Sequence, residues 1–345
     1  MSIHDEATWG VDPAGLAAWL VATGEAVREP ITLSRIGQGQ SNLILRVHDA
    51  AGHVWVLRRP PFGELLATAH DVVREHRVME ALQGSVGSVP PIVGLIQDPA
   101  VCSAPCLAMQ FVEGNVVEDE AAAEAMSVGA RRTLGYGLVE LLVQLHDVDP
   151  ERVGLEGLAS RRAYAERQLH TWANQWERSR PSGPHSLDDL TNRLRRAVPH
   201  HEERRVVHGD LHLRNVICSP TGAVRATLDW ELSTLGDPLA DLGTLLAYWP
   251  QAGDRPTKIF SASTFDGFPR RDELVEAYAV KSGRDVTNVG FWHVLGLWKV
   301  AIIVQGVLRR VENQPKNRAE GAPEGQEDVD AIAMRAVDAA TEVGL

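Results

Sequence analysis

Three polar side chains in one short stretch, VHGDLHLRNVICSPTGAVRATLDWE, could do chemistry together: Asp210, Asn215 and, further on, Asp229. The runs Val216-Ile217-Cys218 and Val224-Arg225-Ala226-Thr227-Leu228 flank the turn cluster Ser219-Pro220-Thr221-Gly222, which predicts a loop followed by a β-hairpin. Such a hairpin brings Asn215 and Asp229, at its two ends, side by side. An amide oxygen and a carboxylate converging there make a hard, oxygen-rich site suited to magnesium, which takes few protein ligands and completes its octahedron with phosphate and water. Asp210, on the same loop, is placed to accept a proton from an attacking hydroxyl. The plain alternative is that all three are turn residues, because Asp and Asn favour turns for local hydrogen bonding. His208 reads as a structural histidine bonded to loop backbone.

HGDLHLRN resembles the H-G-D-x-x-x-x-N loop of the aminoglycoside phosphotransferase and choline kinase branch of the protein-kinase-like superfamily; LDWE stands in place of the protein-kinase D-F-G, and GDPLADLG follows. Four fixed letters at that spacing match by chance at about one position in 10⁵ at average residue usage. The resemblance implies an α+β, bilobal, protein-kinase-like fold. Residues 1–113 would form an N-lobe of antiparallel sheet plus helix, and residues 114–345 a mainly helical C-lobe. It also implies ATP and Mg²⁺ as cofactors, Asp210 as the base, and Asn215 and Asp229 as the metal-holding pair.

The elements that must position these groups can be read in order. Asp12-Pro13 opens a helix that Gly24 stops, with Leu16, Trp19 and Leu20 on one face. Strands at 31–36 and 43–47 enclose the turn Gly37-Gln38-Gly39-Gln40-Ser41-Asn42, where glycines let backbone N–H groups approach phosphate oxygens. On pattern alone this is a hairpin; the resemblance makes it a phosphate-covering one and selects Ser41 and Asn42. The strand Val54–Arg58 resembles the kinase strand that ends in a phosphate-binding Lys, with Arg58 at that place and Arg59 facing outward as the second choice. Glu75, in the helix from His70 to Leu82, resembles the acid that pairs with the strand cation, although spacing alone would allow Glu80. In the strand from Cys106 to Val112, the resemblance makes Met109 guard the adenine pocket, with the Gln110 carbonyl and the Val112 amide as the backbone groups that bind adenine.

Helices are expected at 121–126, at 134–146 with a stripe of Leu134, Leu138, Leu141, Leu142 and Leu145, at 239–249, at 272–282, at 286–305 and at 327–343. Asp241 is expected to brace the catalytic loop by hydrogen bonds.

At 345 residues with 44% apolar content, the chain can form two lobes with a sizeable core. A net charge of −12 argues against a nucleic-acid partner. Cys102, Cys106 and Cys218 give no even disulfide framework and no zinc pattern, so buried reduced thiols are expected. The acidic N-terminus lacks a signal-peptide pattern, and the apolar run 294–308 is too short to span a bilayer. A cytoplasmic protein with no membrane partner is therefore expected.

Asp229 and Asp237 are close in sequence, no A-P-E motif follows, and Gly209 replaces the Arg of H-R-D. A protein kinase's switchable activation segment does not fit there, and a small-molecule substrate with a hydroxyl group does. LRRPP, REHRVM, RQLHTWANQW and LDWELSTLGDPLADL together look most like the kinase-like domain fused to some eukaryotic acyl-CoA dehydrogenases and its bacterial relatives. That resemblance implies hydroxylated acyl-CoA acceptors, whose phosphates an arginine patch including Arg161 and Arg162 would suit. An antibiotic phosphotransferase and a catalytically inactive nucleotide-binding regulator are the alternatives.

Overall fold

The computed structural model describes residues 9–36, 42–62, 71–158, 163–183, 185–200, 203–257, 259–313, 323 and 325–345. Contacts divide the chain into two compact units: Met1–Gly84 with Val89–Glu113, and Ser85–Ser88 with Gly114–Leu345.

In the first unit, helix α1 (Pro13–Ala22) begins where Asp12 accepts the Gly15 N–H at 2.7 Å and Pro13 takes the first turn. Strands β1 (Thr32–Arg35), β2 (Leu43–His48) and β3 (Val54–Arg59) precede α2 (Val72–Leu82), which Asp71 caps. With β4 (Ile92–Ile96) and β5 (Cys106–Gln110) the strands make an antiparallel sheet in the order β1-β2-β3-β5-β4. Alternation along the central β3 sends Trp55, Leu57 and Arg59 to one face and Val56 and Arg58 to the other. The first face packs on α1 through Leu16, Leu20, Leu45, Val47, Trp55 and Leu57. Arg59 does not point outward into solvent as expected. It is 3% exposed and donates to the carbonyl of Trp9 at 2.6 Å and to Ser103 Oγ at 3.0 Å, because the face it occupies is covered by the chain around these two residues.

The second unit runs β6 (Asn115–Val116), α3 (Glu120–Glu124), α4 (Val128–Asp147), α5 (Tyr164–Ser179), α6 (Ser186–Arg196), β7 (Arg205–Val207), β8 (Val216–Cys218), β9 (Val224–Thr227), β10 (Thr234–Gly236), α7 (Pro238–Ala247), α8 (Arg271–Ser282), α9 (Val289–Asn313) and α10 (Gln326–Glu342). The hairpin β8–β9 forms as the turn chemistry predicts, with β6 on its edge, and β7 pairs with β10. Helix α4 starts at Val128, a turn and a half before the expected Leu134. Its first turns are mostly exposed and lack an apolar stripe, but Arg131 within them is buried and donates to the carbonyls of Ala123 at 2.8 Å and Asp266 at 2.7 Å. The expected leucine stripe of α4 is buried throughout.

Helix α9 is also longer than the sequence suggests, at 25 residues. By length and composition it could cross a membrane, which corrects the expectation from residues 294–308, but 83% of its apolar window is buried inside the protein. An all-round apolar helix covered in this way is a core helix. It lies hard against α7: a methyl added at Gly243 would sit 2.4 Å from the backbone carbonyl of Trp292. Gly243→Ala tests this contact, because helix propensity alone favours Ala by about 1 kcal/mol whereas overpacking against backbone costs about 1–3 kcal/mol. We expect a lower urea midpoint with an unchanged denaturant slope; a stabilised variant would show that the two helices are not in contact there.

Candidate active site

The loop between β7 and β8 carries Asp210, and it is held from beneath by Asp241 of α7. Asp241 has no exposed surface and accepts the backbone N–H of His208 at 2.6 Å and of Gly209 at 2.7 Å. Its third neighbour is His146 of α4, at 3.3 Å through Nε2, whose Nδ1 lies 2.7 Å from the Tyr278 hydroxyl of α8. Burial works to raise the Asp241 pKa, but the His146 and Gly209 hydrogen bonds outweigh it and keep the carboxylate ionised. Gly209 adopts φ +85°, and a Cβ there would lie 2.8 Å from the Leu232 carbonyl, so the turn that follows His208 requires glycine.

His208 is structural, as its sequence context suggests. Its Nε2 lies 3.1 Å from the Leu228 carbonyl and its Nδ1 accepts the Asp210 N–H at 3.3 Å, which sets the neutral Nε2–H tautomer. Burial depresses its pKa against the pull of Asp241 and Asp210, in keeping with that neutral ring. Through Leu228 the ring ties the loop to the end of the β8–β9 hairpin.

Asp210 keeps 18% of its side chain exposed. Its Oδ1 accepts from the Tyr248 hydroxyl at 2.9 Å, and its Oδ2 lies 3.4 Å from Asn215 Nδ2 and 3.7 Å from His212 Nε2. Burial favours the protonated acid, but His212, the Lys299 ammonium and the Tyr248 hydroxyl more than compensate, and the pKa falls below the ordinary carboxylate range. Tyr248 itself is pushed well above its usual pKa by burial and by the Asp210 charge, so it remains a donor.

Asn215 and Asp229 are neighbours across the open end of the hairpin, where the Leu228 N–H donates to the Asn215 carbonyl at 2.8 Å. The Asn215 amide nitrogen donates to the Asp210 carbonyl at 2.9 Å, so its amide oxygen is not engaged in that bond. Asp229 sits in the left-handed region at φ 62°, ψ 65°, one of three non-glycine residues with positive φ among those described. Such a conformation costs about 1–3 kcal/mol and persists where surrounding structure over-determines it. An amide oxygen and a carboxylate fit a magnesium ion that takes its remaining ligands from phosphate and water. Among the described residues there is no cluster of three or more His, Cys, Asp or Glu that would build a closed protein cage.

In the first unit, Arg58 Nε lies 2.7 Å from Glu75 Oε2, with side chains 11% and 2% exposed. Of the two helical acids, Glu75 is the one that meets Arg58, and Glu80 is exposed. Asn42 is buried, and Ser41 lies outside the described residues, as do Arg161 and Arg162. Gln110 ends β5, its side chain donates to Glu25 Oε2 at 2.8 Å, and Val112 follows two residues beyond the strand.

Over residues 32–274 the chain matches the model described as the phosphotransferase enzyme family. The chain belongs to that family. Acyl-CoA dehydrogenase family member 10 of Mus musculus is 30% identical over 91% of the chain and 30% of its own length, and family member 11 of Gallus gallus is 34% identical over 81% and 37%. The chain thus spans about a third of the curated relatives it matches. A crystal structure from Ralstonia eutropha, described as a candidate aminoglycoside phosphotransferase, superposes with a TM-score of 0.79 at 27% identity, covering 96% of this chain and 99% of that one. The antiparallel N-terminal sheet with its helix and the mainly helical C-terminal part are the protein-kinase-like α+β fold expected from the sequence.

Three side chains that sequence pattern passes over make contacts at this loop: Tyr248, His212 and Lys299. Tyr248 ends α7 and carries no motif. His212 lies inside HGDLHLRN at one of its variable positions. Lys299 did leave a signal, a lone charge in the apolar run of α9. Its Nζ donates to the Gly209 carbonyl at 2.5 Å and lies 5.4 Å from the Trp172 ring centroid.

Asp241→Asn keeps the shape of the brace but offers one acceptor oxygen where two N–H groups need one each. One buried donor is then unsatisfied, at about 1–3 kcal/mol. We expect chemical denaturation to show a loss of that size; a variant as stable as the wild type would mean that the two N–H groups have another acceptor.

Proposed function

We propose that the chain is an ATP-dependent small-molecule kinase that transfers the γ-phosphoryl group to a hydroxyl of a metabolite, with hydroxylated acyl-CoA thioesters as the acceptor class. The observation that carries this reading is the Asp210 carboxylate, kept ionised and partly open beside Asn215 and the left-handed Asp229. In this reading Asp210 accepts the acceptor's hydroxyl proton while Tyr248 and His212 hold its orientation. Asn215 and Asp229 would hold magnesium, which would supply positive charge to the phosphates during transfer. Arg58, oriented by Glu75, engages the nucleotide phosphates with Asn42 and Ser41, and the backbone groups of Gln110 and Val112 bind adenine.

The acyl-CoA assignment draws support from the relatives, which are named for acyl-CoA dehydrogenases, and from the surroundings of Asp210. His212, Tyr248 and Phe260 form an aromatic cluster there, and the Arg214 guanidinium lies 4.7 Å from the Phe260 ring centroid. A polycationic aminoglycoside calls for a mainly acidic surface instead. An inactive regulator is disfavoured, because Arg58 makes the ion pair with the helix acid that the usual Lys would make.

The test is ADP release from Mg-ATP against a panel of hydroxyacyl-CoAs and aminoglycosides. We expect turnover with a hydroxyacyl-CoA, its loss on chelation of magnesium, and a fall of about 10²–10⁴-fold in Asp210→Asn. Equal release by wild type and Asp210→Asn would show that the base is wrongly assigned, and turnover only with aminoglycosides would overturn the acceptor class.

A further inference from the structure

Lys299 is 6% exposed and is the only charged residue between Val294 and Leu308. Removing an ammonium from water costs several kcal/mol unless partners offset it, so its surroundings show what it serves. Burial lowers its pKa, while the Asp210 and Asp241 charges act against that loss. Its hydrogen bond goes to the carbonyl of Gly209 at 2.5 Å, and the face of Trp172 from α5 lies beside it.

The Gly209 carbonyl belongs to the same rigid peptide plane as the Asp210 N–H. That N–H donates to His208 Nδ1 at 3.3 Å, and the Gly209 N–H on the preceding plane donates to Asp241 Oδ1 at 2.7 Å. Asp241 and His208 therefore hold the amide side of the turn, and Lys299 holds the carbonyl side. The plane is not fixed by sterics alone, because glycine has wide φ/ψ freedom on its own. Rotation of this plane would swing the Cα that carries Asp210.

We propose that Lys299 is a positioning residue for phosphoryl transfer, clamping the Gly209–Asp210 peptide plane so that the Asp210 carboxylate stays aimed at the acceptor hydroxyl. The proposal rests on the reading of Asp210 as the base. It makes the interior of α9 part of the catalytic apparatus without contact to substrate. A purely structural lysine, serving only to neutralise buried acids, is the competing account.

Lys299→Met and Lys299→Arg, each alone and combined with Asp210→Asn, separate the two accounts through kcat and KM for ATP, read by ADP release with the acceptor found in the panel or with water. Displacing a reacting group by about 1 Å costs about 10²-fold, so Lys299→Met should lose about that much in kcat with KM for ATP nearly unchanged. Lys299→Arg keeps the charge but meets the carbonyl with a bulkier planar group and should lose about tenfold. In the Asp210→Asn background, Lys299→Met should add no more than about a twofold loss, because the group it aims has gone. A wild-type kcat in Lys299→Met, or a full additional loss in the Asp210→Asn background, overturns the proposal. If Lys299→Met does not fold, Lys299→Arg decides: kcat equal to wild type overturns the clamp. An Asp210→Asn variant with undiminished turnover would instead sink the functional reading on which the proposal depends.

Discussion

Two backbone N–H groups meeting one buried carboxylate is the constraint on which the candidate site depends. Asp241 can remain ionised without solvent because His208, Gly209 and His146 surround it. Each of those donors would itself be costly if left unpaired in the interior. The network extends through His146 to Tyr278, so α4, α7 and α8 share one hydrogen-bonded path to the loop. The loop geometry is thus set by helix packing, and the close approach of α7 and α9 belongs to the same constraint.

The hairpin transmits that constraint to the metal-side residues. His208 reaches Leu228, Leu228 reaches Asn215, and Asn215 reaches Asp210, so the open end of β8–β9 is closed on the loop. Asp229 follows Leu228 in a conformation few non-glycine residues accept. Asp tolerates it better than most residues because its short polar side chain can bond locally. Here the local strain and the direction of the carboxylate come from one backbone setting.

What could be read from the sequence follows the range of the interactions. The hairpin, the helix start at Asp12-Pro13, and the spacing of Asp210 and Asn215 depend on neighbours a few residues away, and turn chemistry and periodicity express those directly. Asp241 was legible because GDPLADLG places it at a fixed distance after Asp229. Tyr248 and Lys299 meet the loop across 38 and 90 residues of chain, and no local pattern encodes that meeting. Arg59 marks another limit. Strand alternation gives its face, but only the tertiary structure shows that residues around Trp9 and Ser103 cover it.

Helix α9 shows why apolar length is a poor guide without burial. Its composition would suit a bilayer core, yet α5, α7 and α10 pack around it and supply the contacts that lipid would otherwise make. Lys299 is the residue that distinguishes the two settings. In hydrocarbon, an ammonium at mid-helix faces a penalty that only pairing or a water-filled cavity relieves. In this core it meets a carbonyl, an aromatic face and the field of two carboxylates, all held by the same loop and helices that need orienting. A leucine at this position would suit the surrounding apolar side chains better, but it would leave the Gly209 carbonyl without the donor that now meets it, so the polar requirement of the loop explains the lysine.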